Sequence, residues 1–286
     1  MTGFRRAQRW MRIRLTPGGF PAARKGTFPP FRGLLPLVLL LAIWQFLQEG
    51  QSPYFPRPSL WFAAVEKLWR AGSLLPGFEA TLESFSLALL LAVVVGSVVG
   101  IIVGRSRFLD RALGPLLEYC RVMPPAAILP LFIIFAGYTG TMKISVTVFG
   151  ASWPILLQVR GAARAMSPAL MDSARSMHLR RIATLRKIII PAITPSLLVG
   201  TRIAAPIVLV LVLLVEIVTH IDGLGALIAR SQESFLSAQV YGLVAITGCL
   251  GLIVNIAVSS LESHFLRYRP GSVSRRPRRP DRVHVK

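Results

Sequence analysis

Acidic side chains are scarce in this chain: 12 Asp and Glu stand against 33 Lys and Arg among 286 residues. Cysteine is scarcer still. Cys120 and Cys249 are the only two, each within an apolar stretch, which excludes a disulfide framework and any thiolate-based metal site. The four histidines have no Cys, Asp or Glu at ligand spacing, so no metal centre is expected. The Gly-x4-Gly-Lys-Ser/Thr phosphate loop is missing, and with it the means for this chain to hydrolyse ATP itself. Apolar stretches also lack clustered His, Asp and Ser, which argues against a membrane enzyme. What fills the sequence instead is hydrocarbon: 53% of residues are hydrophobic and only 16% charged, a balance one soluble globule cannot bury.

Apolar runs cover residues 33–47, 81–103, 116–135, 144–159, 188–219 and 240–261. Crossing a hydrocarbon core of about 30 Å takes about 20 apolar residues in helical form, so these are six candidate transmembrane helices. The fifth is long and carries Pro191, Pro195 and Pro206, which predict a kink. The first follows a basic segment, 1–32, too long for the charged start of a secretory signal, and reads as a retained signal-anchor. Residues 33–266 form one membrane domain, and 267–286 a basic, disordered tail attracted to anionic lipid.

A net charge of +21 would normally raise nucleic acid as a partner. Here the arginines flank apolar runs, the pattern of cytoplasmic loops held back from translocation, so nucleic acid is not expected. With six spans, 26 of the 33 basic residues fall on the side of the termini and five on the other, which predicts both termini in the cytoplasm. Residues 60–69 of the long outer loop read as an amphipathic helix at the interface, with Trp61 and Trp69 at headgroup level.

Three features stand out within the spans. Gly96, Gly100 and Gly104 repeat at every fourth position, leaving one helix face bare for close approach of another helix, expected within the chain. In the third span, Pro124, Pro125 and Pro130 free backbone carbonyls, tolerable in a bilayer only against protein or a water-filled cavity. That makes the span either a pathway element or a kinked packing helix. Arg121 and Arg202 are the cations nearest the membrane interior, where arginine costs at least about 2.5 kcal/mol. Each either offers bidentate contacts to an oxyanion or snorkels and pairs structurally, Glu118 being a possible partner of Arg121.

Residues 160–187 separate spans four and five. Ser167-Pro168 has the order of an N-cap and first helical position, and Leu170, Met171, Ala174 and Met177 follow at helical spacing. The segment reads as a short helix held out from the membrane for a soluble protein to grip, with His178 in its bend and a second basic helix following over residues 180–190.

At Asp172-Ser173-Ala174-x3-His178-x9-Ile188-x-Ile190-Pro191 the sequence resembles the Glu-Ala-Ala loop of ATP-binding-cassette importer permeases, Glu-Ala-Ala-x3-Gly-x9-Ile-x-Leu-Pro. Further matches run from about Pro53 to Tyr268: Arg121-Val-Met-Pro-Pro-Ala-Ala-Ile-Leu-Pro-Leu, Gly200-Thr-Arg202, Glu216 and Gly223-Leu-Gly225. Together they are similar to the nitrate, sulfonate and taurine branch. The resemblance implies an all-α membrane protein of the type I importer permease fold, with six transmembrane helices and a cytoplasmic coupling helix, in a bacterial inner membrane. It implies no cofactor in this chain, ATP and Mg being bound by two cytoplasmic ATPase subunits that receive Asp172, Ser173, Ala174, Met177 and His178. It also implies an extracytoplasmic solute-binding protein, a second permease chain, and a small, often anionic solute. Arg121, Pro124, Pro125, Pro130, Arg202 and Glu216 become candidates for the pathway, Glu216 serving as a gate, a contact for the binding protein or a solvated helix end.

Three positions depart from the pattern: Asp172 for Glu, Ser173 for Ala and His178 for Gly. The last matters most, since a left-handed bend suits glycine and costs a histidine more. It leaves a heterodimer with a more typical permease open, although two-fold homodimers are the commoner arrangement. The alternative function is a secondary transporter or channel; such carriers bury carboxylates near midplane, whereas the acidic residues here fall in loops or towards span ends.

Overall fold

The computed structural model describes residues 34–47 and 53–266, which lie in two separate units. Among the described residues, the first holds one helix, α1 (Leu34–Leu47). Its 14 residues, apolar except for Gln45, rise about 21 Å, short of a full hydrocarbon core. The basic segments 1–32 and 267–286 lie outside the described residues.

Every regular element among the described residues of the second unit is a helix. In order come α2 (Pro58–Arg70), α3 (Leu74–Arg105), α4 (Arg107–Val122), α5 (Pro125–Ala136) and α6 (Gly140–Arg164). Then follow α7 (Pro168–Ser176), α8 (Arg181–Thr184), a wide π-turn over Leu185–Ile189, α9 (Ile190–Thr219), α10 (Leu224–Glu233) and α11 (Ser237–Leu266). The helices α3, α6, α9 and α11 are each long and apolar enough to cross a membrane. The pair α4 and α5 makes a fifth span only if its two bent halves are counted together. All six apolar runs are therefore helical, but the third is two helices.

The break follows from local chemistry. Pro124 and Pro125 supply no N–H, and a residue before proline is pushed out of the helical region. Met123 (ψ 122°) and Pro124 (ψ 121°) are accordingly extended, and α4 and α5 meet at 97°. A kink was expected there and a corner is found. Ser106 starts α4, accepting from the Leu109 N–H at 3.2 Å, and Thr139 starts α6 in the same way with Met142.

The centre of the unit is the contact of α3 with α6. A methyl group added at Gly96 would come within 2.9 Å of Ile155 Cβ and of the Ser152 carbonyl. One at Gly100 would stand 2.8 Å from the Leu156 carbonyl, and one at Gly104 only 2.6 Å from that of Arg160. The glycine stripe thus packs within the chain, backbone against backbone, as membrane helices do where apolar burial supplies no drive. The helix α9 also closes on α6, at Gly200, where an added methyl would lie 2.9 Å from Ile155 Cα. Ala88, Ala92, Ile155, Val159, Ile193, Ala204, Ala205 and Val208 form the buried centre.

The expected interfacial helix α2 is anchored to the last span. Trp61 stacks on Tyr241 with ring centres 5.3 Å apart and donates its indole N–H to the Pro56 carbonyl at 3.0 Å. Trp69 stays exposed.

The helix contact can be tested with two alanines. Gly100→Ala is expected to lower stability in detergent by about 1–3 kcal/mol through overpacking. Gly161→Ala, where nothing lies within 4 Å of the new methyl, should be neutral or slightly stabilising. Thermal unfolding of the purified variants checks both.

Candidate functional site

Between α6 and α9 the chain leaves the bundle to form α7. Ser167 is extended (ψ 141°) and Pro168 occupies the first helical position; the Ser167 side chain makes no capping bond. At the other end His178 adopts φ +48°, in the left-handed region. Its N–H donates to the Arg175 carbonyl at 2.9 Å and the Leu179 N–H donates to the Ala174 carbonyl at 3.1 Å. Those two bonds make a Schellman closure, whose left-handed residue is most often glycine. The bend therefore needs the conformation anticipated for it, and histidine holds it.

The faces of α7 divide differently from the sequence expectation. Ala174 is buried within its own chain and Met171 is half-buried, its sulfur 2.9 Å from the Arg105 guanidinium. Leu170 and Met177 are exposed, as are Asp172 and Ser173. Asp172 lies 3.6 Å from Arg175, and the Ser173 hydroxyl donates back to the Ala169 carbonyl at 2.8 Å. Leu170, Met171, Ala174 and Met177 thus do not form one outward face: Ala174 and, in part, Met171 pack against their own chain, while Leu170 and Met177 stay exposed.

The second feature is an open cleft of about 530 Å³ at the corner between α4 and α5. Arg121, Met123 and Pro125 line it from the corner, Gly150, Trp153, Pro154, Leu157 and Gln158 from α6, and Ile203 and Ile207 from α9. Gly150 seats the corner, since a methyl there would stand 2.7 Å from the Pro125 ring. Of the six pathway candidates, Arg121 and Pro125 line this cleft, and Pro124, Pro130, Arg202 and Glu216 do not. Pro124 and Pro130 are exposed on the broken span. Arg202 reaches α11 and bonds Glu262 at 3.0 Å.

Glu216 requires a correction, because it is fully buried and not a solvated helix end. Its carboxylate accepts from Lys143 Nζ at 3.1 Å, from Thr81 Oγ1 at 2.9 Å and from the Gly225 N–H at 3.0 Å. Lys143, 3% exposed, also donates to the Asp222 carbonyl at 3.2 Å, while Thr81 Oγ1 accepts from the Leu224 N–H at 2.8 Å. One ion pair so joins α3, α6, α9 and the start of α10. Gly223 lies so close to the carboxylate that any side chain there would overlap it. A second cluster ties α4 to the end of α6: Asp110 pairs with Arg160 at 2.7 Å and Arg164 at 3.0 Å.

Lys143, Thr81, Asp110, Trp153 and Gln158 did not stand out in the sequence. A lysine opening one apolar run and a glutamate closing another was the available signal for the first pair. No group of His, Cys, Asp and Glu able to hold a metal occurs among the described residues.

Long apolar helices around a broken span, with a short helix projecting between two of them, define a multi-pass membrane transport permease. The chain belongs to the family of binding-protein-dependent transport system inner membrane components, whose family model matches residues 92–267. It is 26% identical over 241 residues to the putative aliphatic sulfonates transport permease protein SsuC of Bacillus subtilis, covering 83% of this chain and 87% of that one. Nitrate import permease protein NrtB of Leptolyngbya laminosa is 25% identical over 233 residues, covering 79% and 84%. Taurine transport system permease protein TauC of Escherichia coli is 26% identical over 236 residues, covering 79% and 85%. Among solved structures, inward-facing conformations of the MetNI methionine ABC transporter superpose with a TM-score of 0.58 at 17% identity, covering 68% of this chain and 97% of that one. The fold is that of the type I importer permeases, and the relatives place the chain in the nitrate, sulfonate and taurine type.

Removing one partner of the Lys143–Glu216 pair strands a buried charge, a loss of about 3–5 kcal/mol, whereas replacing both with apolar residues is often neutral. Lys143→Met and Glu216→Leu should each sharply lower the unfolding midpoint in detergent, and the double variant should recover much of it. Equal, additive losses would show that the two charges do not act as a pair.

Proposed function

We propose that this chain is the non-catalytic permease subunit of an ATP-driven importer, forming the pathway for a small, anionic solute delivered by an extracytoplasmic binding protein. Two cytoplasmic ATPase subunits, which bind the ATP and Mg, receive the α7 bend, and a second permease chain completes the transporter, a homodimer in preference to a heterodimer. Both chain termini lie on the ATPase side. The observation that carries this reading is the geometry of α7, a nine-residue helix closed at His178 and held between two spans, with Leu170, Asp172, Ser173 and Met177 exposed. Family membership and the transport names of the relatives support it. A secondary transporter or channel gains nothing from Glu216, whose carboxylate is already occupied by Lys143, Thr81 and Gly225.

Docking at α7 rests on its exposed face. Met177→Asp should leave the permease folded in the membrane yet abolish co-purification of the ATPase and ATP-dependent uptake, because a charge would be buried in an apolar contact. Ala174→Arg tests docking poorly, since Ala174 packs inside its own chain. His178→Gly relieves the left-handed histidine and should preserve uptake while stabilising the chain by up to about 1 kcal/mol. Full ATP-dependent uptake by Met177→Asp would overturn the assignment of α7 as the coupling helix.

A further inference from the structure

Away from the α4–α5 corner, a second open recess of about 460 Å³ lies on the first turns of α4, lined by Arg107, Phe108, Arg111 and Ala112. The helix α3 is long and apolar enough to cross a membrane, and its apolar residues stop at Val103, two positions before its terminal Arg105. The start of α4 therefore stands where hydrocarbon gives way to lipid headgroups.

Arg107 and Arg111 are one helical turn apart on the same face of α4, which sets their Cβ atoms roughly 5–6 Å from one another. Both are exposed, and neither forms an ion pair among the described residues. Asp110, the acid of this turn, is buried on the other side of the helix and held by Arg160 at 2.7 Å and Arg164 at 3.0 Å. No acidic residue lines the recess, so two guanidinium groups face it without a counter-charge. Two planar donors at this spacing suit the free oxygens of one phosphodiester.

The rest of the lining is apolar. Phe108 is 78% exposed, with Ala112 one turn further on. On α3, Leu90, Val94, Val98 and Ile102 are exposed at every fourth position, a hydrocarbon ridge that ends three residues before Arg105. A free phosphate would satisfy the arginines and leave the Phe108 ring in water. A zwitterionic phospholipid would bring its own cation against the two guanidinium groups. An anionic phospholipid matches both parts, as basic recesses at the ends of membrane helices commonly do.

We propose that this recess binds an anionic phospholipid, its phosphodiester on Arg107 and Arg111 and the head of an acyl chain on Phe108. That the lipid belongs to the cytoplasmic leaflet rests on the function proposed above; the recognition chemistry does not. The site has neighbours that matter. Asp110 on the same turn ties α4 to the end of α6, and Arg105 meets Met171 of α7 at 2.9 Å. A bound lipid thereby braces the turn on which the base of α7 rests.

The test is titration of the full chain in detergent, read by native mass spectrometry, with palmitoyl-oleoyl phosphatidylglycerol, the matching phosphatidylcholine, and inorganic phosphate as competitor. Phosphatidylglycerol should occupy one tight site, with phosphatidylcholine at least tenfold weaker there and phosphate unable to displace the lipid. Combined Arg107→Gln and Arg111→Gln should weaken that site at least tenfold, and Phe108→Ser should weaken it less. Combined Arg186→Gln and Lys187→Gln removes the same charge from another exposed basic pair and should leave the site unchanged. All four residues are exposed, so both double variants should elute as the parent chain does. Equal losses in the two double variants, displacement by phosphate, or equal affinity for the two lipids would overturn the proposal. So would an Arg107 and Arg111 variant that keeps the lipid yet loses its ATPase, because the recess would then be a protein contact. The titration uses the permease alone, so a failure of ATP-dependent uptake would count against the coupling reading and not against the lipid site.

Discussion

Everything in the second unit is arranged around the approach of two backbones. Along Gly96, Gly100 and Gly104 the helix α3 lies so near α6 that its closest neighbours are carbonyl groups. In a bilayer, lipid competes for apolar side chains on equal terms, so contact has to come from packing density. The small residues are what permit that density. Once α6 is fixed against α3, Gly200 brings α9 against it as well and Gly150 seats the corner of the broken span. The cleft and the base of α7 are both built on those placements.

Charge follows a complementary logic. A hydrocarbon interior offers no water to an ion, so each charge that enters has to bring its partners. Glu216 enters with three donors, from Lys143, Thr81 and Gly225. Asp110 binds two arginines that end α6. Arg202 is drawn to Glu262 on α11. Arg121, by contrast, has only the exposed Glu118 at 3.4 Å and stands at the cleft, whose lining includes no acidic residue.

The two corners of the chain are made by different means. Consecutive prolines at 124 and 125 turn the third span through 97° by withholding donors and excluding the helical conformation before them. The turn after α7 instead keeps all its hydrogen bonds and imposes a left-handed residue, here His178. The first turn opens a space inside the bundle, whereas the second presents a compact helix outside it.

Helical content, the apolar runs, the glycine stripe, a proline disturbance in the third span and the conformational demand at position 178 were all legible in the sequence. Each depends on residues close together along the chain, through period, missing donors or allowed φ. What the tertiary structure alone decided lies between residues far apart. Glu216 stood open between a gate, a docking contact and a solvated helix end until Lys143, 73 positions away, was found against it. Ala174 read as an offered surface until it was found buried against its own chain, and Arg202 and Arg121 read alike until one met Glu262 and the other faced the cleft. Local sequence sets which conformations the backbone can hold, but whether a charge or a methyl group meets water, lipid or a partner depends on which distant helix face is packed against it.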